Sequence, residues 1–233
     1  MGIGDIRYTV LQTEQEVFRK LGLDAPSGLT VNKLAVQMVD FINDVCNDLS
    51  DFGNWQEMLV SSNVTAVSGQ SNYSINTSAN VKNIGDIFFS TRTGPMRYVT
   101  VQDMRIMTRT TCTGTPSQFT TFGTDNAGNP NIRVRPTPAQ NEDGELFSIT
   151  YYVRCPKYTT ADDSTVIPFP GDLVVLGTLA RAILNESSGS PTDHYTRVQQ
   201  EYLESRKESL NRFNGDTGWD VSFTPSLISR RRR

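Results

Sequence analysis

The stretch "VNKLAVQMVDFINDVCNDLSDFGNWQEMLVSSNVTAV", residues 31–67, changes its period in the middle, and that change decides the fold class. Up to Phe52, the apolar residues Val31, Leu34, Met38, Ile42, Val45 and Leu49 recur at steps of three and four, the spacing of one helix face. Thr30 stands where a helix cap is expected, and Gly53 where the helix should stop. From Trp55 the period becomes two: Met58, Val60, Val64 and Ala66 share one phase, with Ser62 as the exception. A long helix thus runs into a strand-rich region, which predicts an α+β chain.

On the N-terminal side, "TVLQTEQEVFRKLGL" (9–23) is predicted to be a first helix with Val10, Val17 and Leu21 on one stripe and Gly22 as its stop; "DAPSG" is a loop. On the other side, a Ser-Gly-Gln-Ser turn precedes Tyr73 and Ile75. "IGDIFFSTRTGPMRYVTV" predicts a hairpin around Thr93-Gly94-Pro95, and "VQDMRIMTR" a short helix. "PSQFTTFG", "NIRVRPTP" and "ELFSITYYVRCP" are three further strands, β-branched and aromatic as half-buried strands require, joined by turn-rich "DNAGNPN" and "AQNEDGE".

At Pro168 the pattern turns helical again. "GDLVVLGTLARAILNES" (171–187) is apolar nearly all round, through Leu173, Val174, Val175, Leu176, Leu179, Ala180, Ile183 and Leu184. Such a helix is buried on several sides, inside its own fold or against neighbouring subunits. Ser190, Pro191 and Asp193 read as a helix start. The helix that follows carries Tyr195, Val198, Tyr202 and Phe213 on one stripe, with Gly215 as its stop. The expected organisation is a helical bundle from 1–54 and 168–214, a β-rich insertion over 55–167, and an extended C-terminal tail over 215–233.

The 233 residues suffice for a real core. There are 22 basic and 25 acidic side chains, a formal charge of −3. Four of the basic ones are the terminal Arg230, Arg231, Arg232 and Arg233; without them 18 basic face 25 acidic side chains, a body of −7. A nucleic-acid-binding domain normally carries a basic face, so a basic tip on an acidic body points to an acidic protein partner or to one accessory phosphate surface. Cys46, Cys112 and Cys155 are odd in number and widely spaced, which suggests neither a disulfide framework nor a zinc site. The start "MGIGDIRYTV" lacks a signal-peptide pattern, and the longest apolar run is too short to span a bilayer. Asn-x-Ser/Thr triplets at Asn63, Asn72, Asn76 and Asn185 are then chance matches.

Chemistry finds little support. The single histidine, His194, sits beside Asp193 in the first turn of a polar helix, with no second histidine to share a metal. Phosphate-cradling glycine loops and the Gly-x-Ser-x-Gly elbow are absent. The adjacent acids Asp162–Asp163 and Glu142–Asp143 lie in loops and read as solvated turn residues. The expectation is no catalytic residue, no metal and no cofactor. Arg133 and Arg135 alternate with Ile132 and Val134 on one strand, and Arg92, Arg97, Arg105, Arg109 and Arg154 add charge nearby. A phosphate-binding face would look so; on an acidic body the polar face of a half-exposed sheet is favoured. After Gly215, Trp219, Val221, Phe223, Leu227 and Ile228 punctuate an extended segment, the pattern of a docking arm.

An ordered set of segments is more specific than any of these. A helix ends in "LGL"; a second carries Asn43 and ends in "FGNWQEML" (52–59); "VTAVSGQSNYSI" (64–75) follows. "TPSQFTTFG" (115–123) then precedes "NIRVRPTPAQ" (131–140), "FSITYYVRCP" (147–156) leads through a polar loop to the buried helix, and "YTRVQQEYLESRKESL" (195–210) closes the series. Over about residues 9–213 this order resembles the head-to-tail adaptor, or connector, proteins of tailed bacteriophages, above all the short-tailed ones. The resemblance implies a structural protein of the virion, made in the host cytoplasm. It implies a homo-oligomeric ring, usually of twelve copies, below the portal, which extends the DNA channel and offers the tail nozzle or tube its seat. DNA would be passing cargo, and no membrane is involved. Helices from 9–52 and 170–213 would form the ring body, with Leu173, Val175, Leu176, Leu179 and Ile183 in subunit packing. Strands of 57–155 would face the tail or a neighbouring subunit. The tail would clasp the portal through Trp219, Phe223, Leu227, Ile228 and Arg230–Arg233. The alternatives are another neck or tail-completion component, or a DNA-binding protein using the arginine run.

Overall fold

The computed structural model describes residues 6–76 and 80–216, and side chains as far as 212. Phe213, Trp219, Val221, Phe223, Leu227, Ile228 and Arg230–Arg233, named above, lie outside these described side chains. The chain is mixed α+β and divides into two units, Met1–Leu49 with Tyr158–Arg233, and Ser50–Lys157; the sequence reading sets these boundaries at 54/55 and 167/168.

The elements in chain order are α1 (Val10–Lys20), α2 (Lys33–Phe52), β1 (Leu59–Thr65), β2 (Asn72–Ser74), β3 (Val81–Phe89), β4 (Arg97–Tyr98), α3 (Val101–Met107), β5 (Gln118–Thr124), β6 (Pro130–Arg135), β7 (Leu146–Val153), α4 (Gly171–Glu186) and α5 (Asp193–Asp216).

In the helical unit, α1 begins with a reciprocal cap: the Thr9 hydroxyl accepts from Gln12 N at 3.1 Å and the Gln12 side chain accepts from Thr9 N at 3.0 Å. Gly22, at φ +74°, follows its end. The cap of α2 is Asn32, whose Oδ1 accepts from Ala35 N at 2.8 Å, rather than Thr30; Val31 lies outside the helix and is exposed. Met38, Ile42, Val45 and Leu49 are fully buried, as their spacing predicts. In α5 the cap is Thr192, whose hydroxyl accepts from Tyr195 N at 3.1 Å, so Ser190 and Pro191 precede the helix. Gly215 falls inside α5 rather than after it. The core joins Val17 and Phe18 of α1, Ala35 and Met38 of α2, Val175, Leu179, Ala180 and Ile183 of α4, and Val198 of α5. Gly177 is the close-approach point: a Cβ there would stand 2.8 Å from Tyr202 Cε2 and 2.9 Å from Val45 Cγ1.

Leu173, Val175, Leu179 and Ile183 are buried in the chain's own fold, and Leu176 partly so. Leu184 is likewise only half-buried.

The second unit holds two sheets, ordered β1-β7-β3 and β2-β6-β5-β4. Their shared core includes Tyr73, Ile87, Phe89, Phe119, Ile132, Val134, Phe147, Ile149 and Tyr151. The hairpin expected around Gly94 does not form. β3 and β4 belong to different sheets; Phe88 of β3 forms an antiparallel bridge with Pro95, just before β4. The chain doubles back for that one antiparallel bridge, with Met96 N donating to Ile87 O at 2.7 Å, and Phe89 and Met96 both turn into the core before β4 joins the other sheet. β4 then pairs in parallel with β5. At the end of α2, the Lys82 ammonium donates to the carbonyls of Ser50 and Gly53, satisfying acceptors that a helix C-terminus leaves open.

Candidate interaction surfaces

β6, "PNIRVR", alternates as a half-buried strand should. Ile132 and Val134 are buried, and Arg133 and Arg135 stand half-exposed on the opposite face. Registry extends that face across the sheet. Arg135 pairs with Gln118 of β5, which pairs with Arg97 of β4; Arg133 pairs with Thr120 of β5 and Asn72 of β2. Paired residues share a face, so Arg97, Gln118 and Arg135 form one row and Asn72, Arg133 and Thr120 the next. None of the four strands contains an acidic residue.

Arg133 is held in place: its Nε donates to Asn72 Oδ1 at 2.7 Å, and its guanidinium lies 4.9 Å over the Phe122 ring. Among the described residues, Arg97, Arg133 and Arg135 form no ion pair. Residues 90–135 carry six arginines and two acids, and both acids are occupied. Asp103 accepts from Thr100. Asp125 accepts from the Ser74 hydroxyl and from Asn129 and Ala127, bonds that bring its carboxyl down to about 2.

The helical unit has the opposite balance. Residues 1–49 and 158–216 hold nine basic and sixteen acidic side chains, against nine and eight in 50–157. On α2, Asp40, Asp44, Asp48 and Asp51 recur at steps of four and three along one side. Asp48 accepts from Tyr202 Oη at 2.6 Å and from Arg206 Nη1 at 2.8 Å. Burial and then Asp48 push the Tyr202 phenol well above its usual range. Asp51 pairs with Arg154 at 3.3 Å. Asp40 and Asp44 are exposed and form no ion pair among the described residues.

The residues screened for chemistry are scattered or structural. His194 is exposed in the first turn of α5. Asp162 closes a turn by accepting from Thr159 N at 2.7 Å. Glu142 corrects the sequence reading: it is buried and accepts from the hydroxyls of Thr115 at 2.5 Å and Thr91 at 3.2 Å. The most perturbed acid, Glu14, was not singled out at all. It is fully buried, its carboxyl oxygens meet no hydrogen-bond partner among the described residues, and burial with Asp163 nearby raises it to about 7. Its place between Val10 and Val17 at steps of four and three was the available signal. Among the described residues no group of three or more His, Cys, Asp or Glu could hold a metal ion, and no helix is long and apolar enough to cross a membrane.

What remains is two surfaces, one basic and one acidic. The model of the SU10 adaptor protein family matches residues 8–226, nearly the whole chain. The chain belongs to the SU10 adaptor protein family. The adaptor is therefore a structural phage protein, a virion component that works in contact with other head and tail proteins, and its family is not an enzyme family. The match continues past α5 through Trp219 and Phe223, further than the resemblance read from the sequence, which stopped near 213; Leu227, Ile228 and the four arginines lie beyond it. No curated protein matches the adaptor.

Proposed function

We propose that the adaptor assembles as a closed ring, of twelve copies, between the portal and the tail nozzle or tube, and that the ring extends the channel through which DNA passes. Family membership carries this reading. The charge distribution supports it: an acidic helical unit suits a conduit wall that repels phosphates rather than gripping them. A ring also needs two different patches that meet on rotation, and the chain carries a basic and an acidic one.

In this reading the helices form the ring body. Leu173, Val175, Leu179 and Ile183 stiffen each subunit from within, while Leu176 keeps the partial exposure that a neighbour contact requires. The segment after α5 reaches the portal, with Trp219, Phe223, Leu227 and Ile228 as apolar anchors and Arg230–Arg233 meeting a carboxylate-rich surface. The test is attachment to purified portal rings. The full chain should co-sediment with them, and a chain lacking 215–233 should not; undiminished attachment of the truncated chain would contradict the docking role.

A further inference from the structure

The ring reading leaves open what joins one subunit to the next. We propose that the arginine face of the β2-β6-β5-β4 sheet is a subunit contact, seated on the acidic side of α2 in a second copy of the chain. This inference rests on the ring reading and adds to it the two surfaces that meet.

Charge complementarity is the first support. Arg97, Arg133 and Arg135 project from strands without a single acid, and they form no ion pair among the described residues. Asp40 and Asp44 are in the same condition on the other side, while their neighbours Asp48 and Asp51 are already paired. Spacing is the second. Arg133 and Arg135 are alternate residues of a strand, about 7 Å apart. Asp40 and Asp44 are one helical turn apart, about 6 Å along the axis. Two guanidinium–carboxylate pairs can therefore form side by side. Preorganisation is the third: Asn72 and the Phe122 ring fix Arg133 before any partner arrives, which lowers the ordering cost of the contact. The contact joins two unlike patches, as a head-to-tail ring requires. A nucleic-acid partner fits less well, because the sixteen acids of the helical unit would repel the phosphate backbone.

The test is sedimentation velocity of the full chain at 25 and 300 mM salt. Four samples are compared: wild type, R133E/R135E, D40K/D44K, and an equimolar mixture of the two variants. Wild type should self-associate at 25 mM and dissociate at 300 mM. Each variant alone should lose association at least tenfold. The mixture should regain it, since the glutamate face of one variant then meets the lysine face of the other while the second contact stays native; this recovery also shows that both variants fold. A monomeric wild type at 25 mM, variants that associate like wild type, or a mixture without recovery would each overturn the contact. So would salt-dependent binding of a DNA duplex that R133E/R135E abolishes while self-association persists. Particles carrying R133E/R135E separate the two readings. A normal ring in them overturns this contact alone, whereas wild-type particles without a ring overturn the adaptor-ring reading.

Discussion

Asn43 grips the backbone of Tyr158 from both sides: its Oδ1 accepts from Tyr158 N at 2.8 Å, and its Nδ2 donates to Tyr158 O at 2.9 Å. Both residues are buried, and 115 positions separate them. One side chain on α2 thus fixes the point where the chain returns to the helical unit after the inserted strands. Asn43→Ala strands a buried donor and a buried acceptor, and a loss of about 2–4 kcal/mol is expected in urea unfolding. Asn43→Asp keeps the acceptor but buries a carboxyl and sets an oxygen against the Tyr158 carbonyl, so it should destabilise no less.

Glu14 gives the helical unit a pH dependence of known sign. The buried carboxyl holds its proton up to about 7, whereas an ordinary glutamate loses it near 4.5. Between these values the folded state binds more proton than the unfolded one, so stability falls as pH rises through the window. Glu14→Gln removes the ionisation. Its melting temperature should exceed that of wild type at pH 8 and converge towards it at pH 5. Equal melting of both proteins at pH 8 would contradict this account.

Gly177→Ala separates helix propensity from packing. Propensity favours alanine in a helix interior by about 1 kcal/mol. The new methyl would press on Tyr202 and Val45 at 2.8–2.9 Å, and overpacking costs about 1–3 kcal/mol. Because the contacts involve a ring and a branched side chain in a closed core, net destabilisation is expected in thermal or urea melts.

Lys82 tests the end of α2. Its ammonium serves the Ser50 and Gly53 carbonyls, although burial lowers its pKa. Lys82→Met keeps the stem and removes the donor. A loss of about 1–2 kcal/mol should follow, with faster amide exchange over residues 49–53.

The sequence announces its helices more clearly than its sheets, for physical reasons. The steps of three and four at Met38, Ile42, Val45 and Leu49 report a local geometry, and those residues are buried as expected. Caps were displaced by two residues, to Asn32 and Thr192, because Ser, Thr and Asn compete for the same role over a short span. A period of two identifies a strand but not its partner. The reading of a β3–β4 hairpin failed because β4 finds β5 instead, in parallel. The same limit governs the candidate surface. Alternation put Arg133 and Arg135 on one face, whereas Arg97 joins them only through the β4–β5 pairing. Charge by unit was legible once the boundaries were known: residues 1–49 and 158–216 hold nine basic and sixteen acidic side chains, against nine and eight in 50–157.

Electron microscopy of the purified particle tests the central claim most directly. The account predicts a closed ring of this chain with a central hole, between the portal and the tail. A particle whose portal meets the tail without that ring would contradict it.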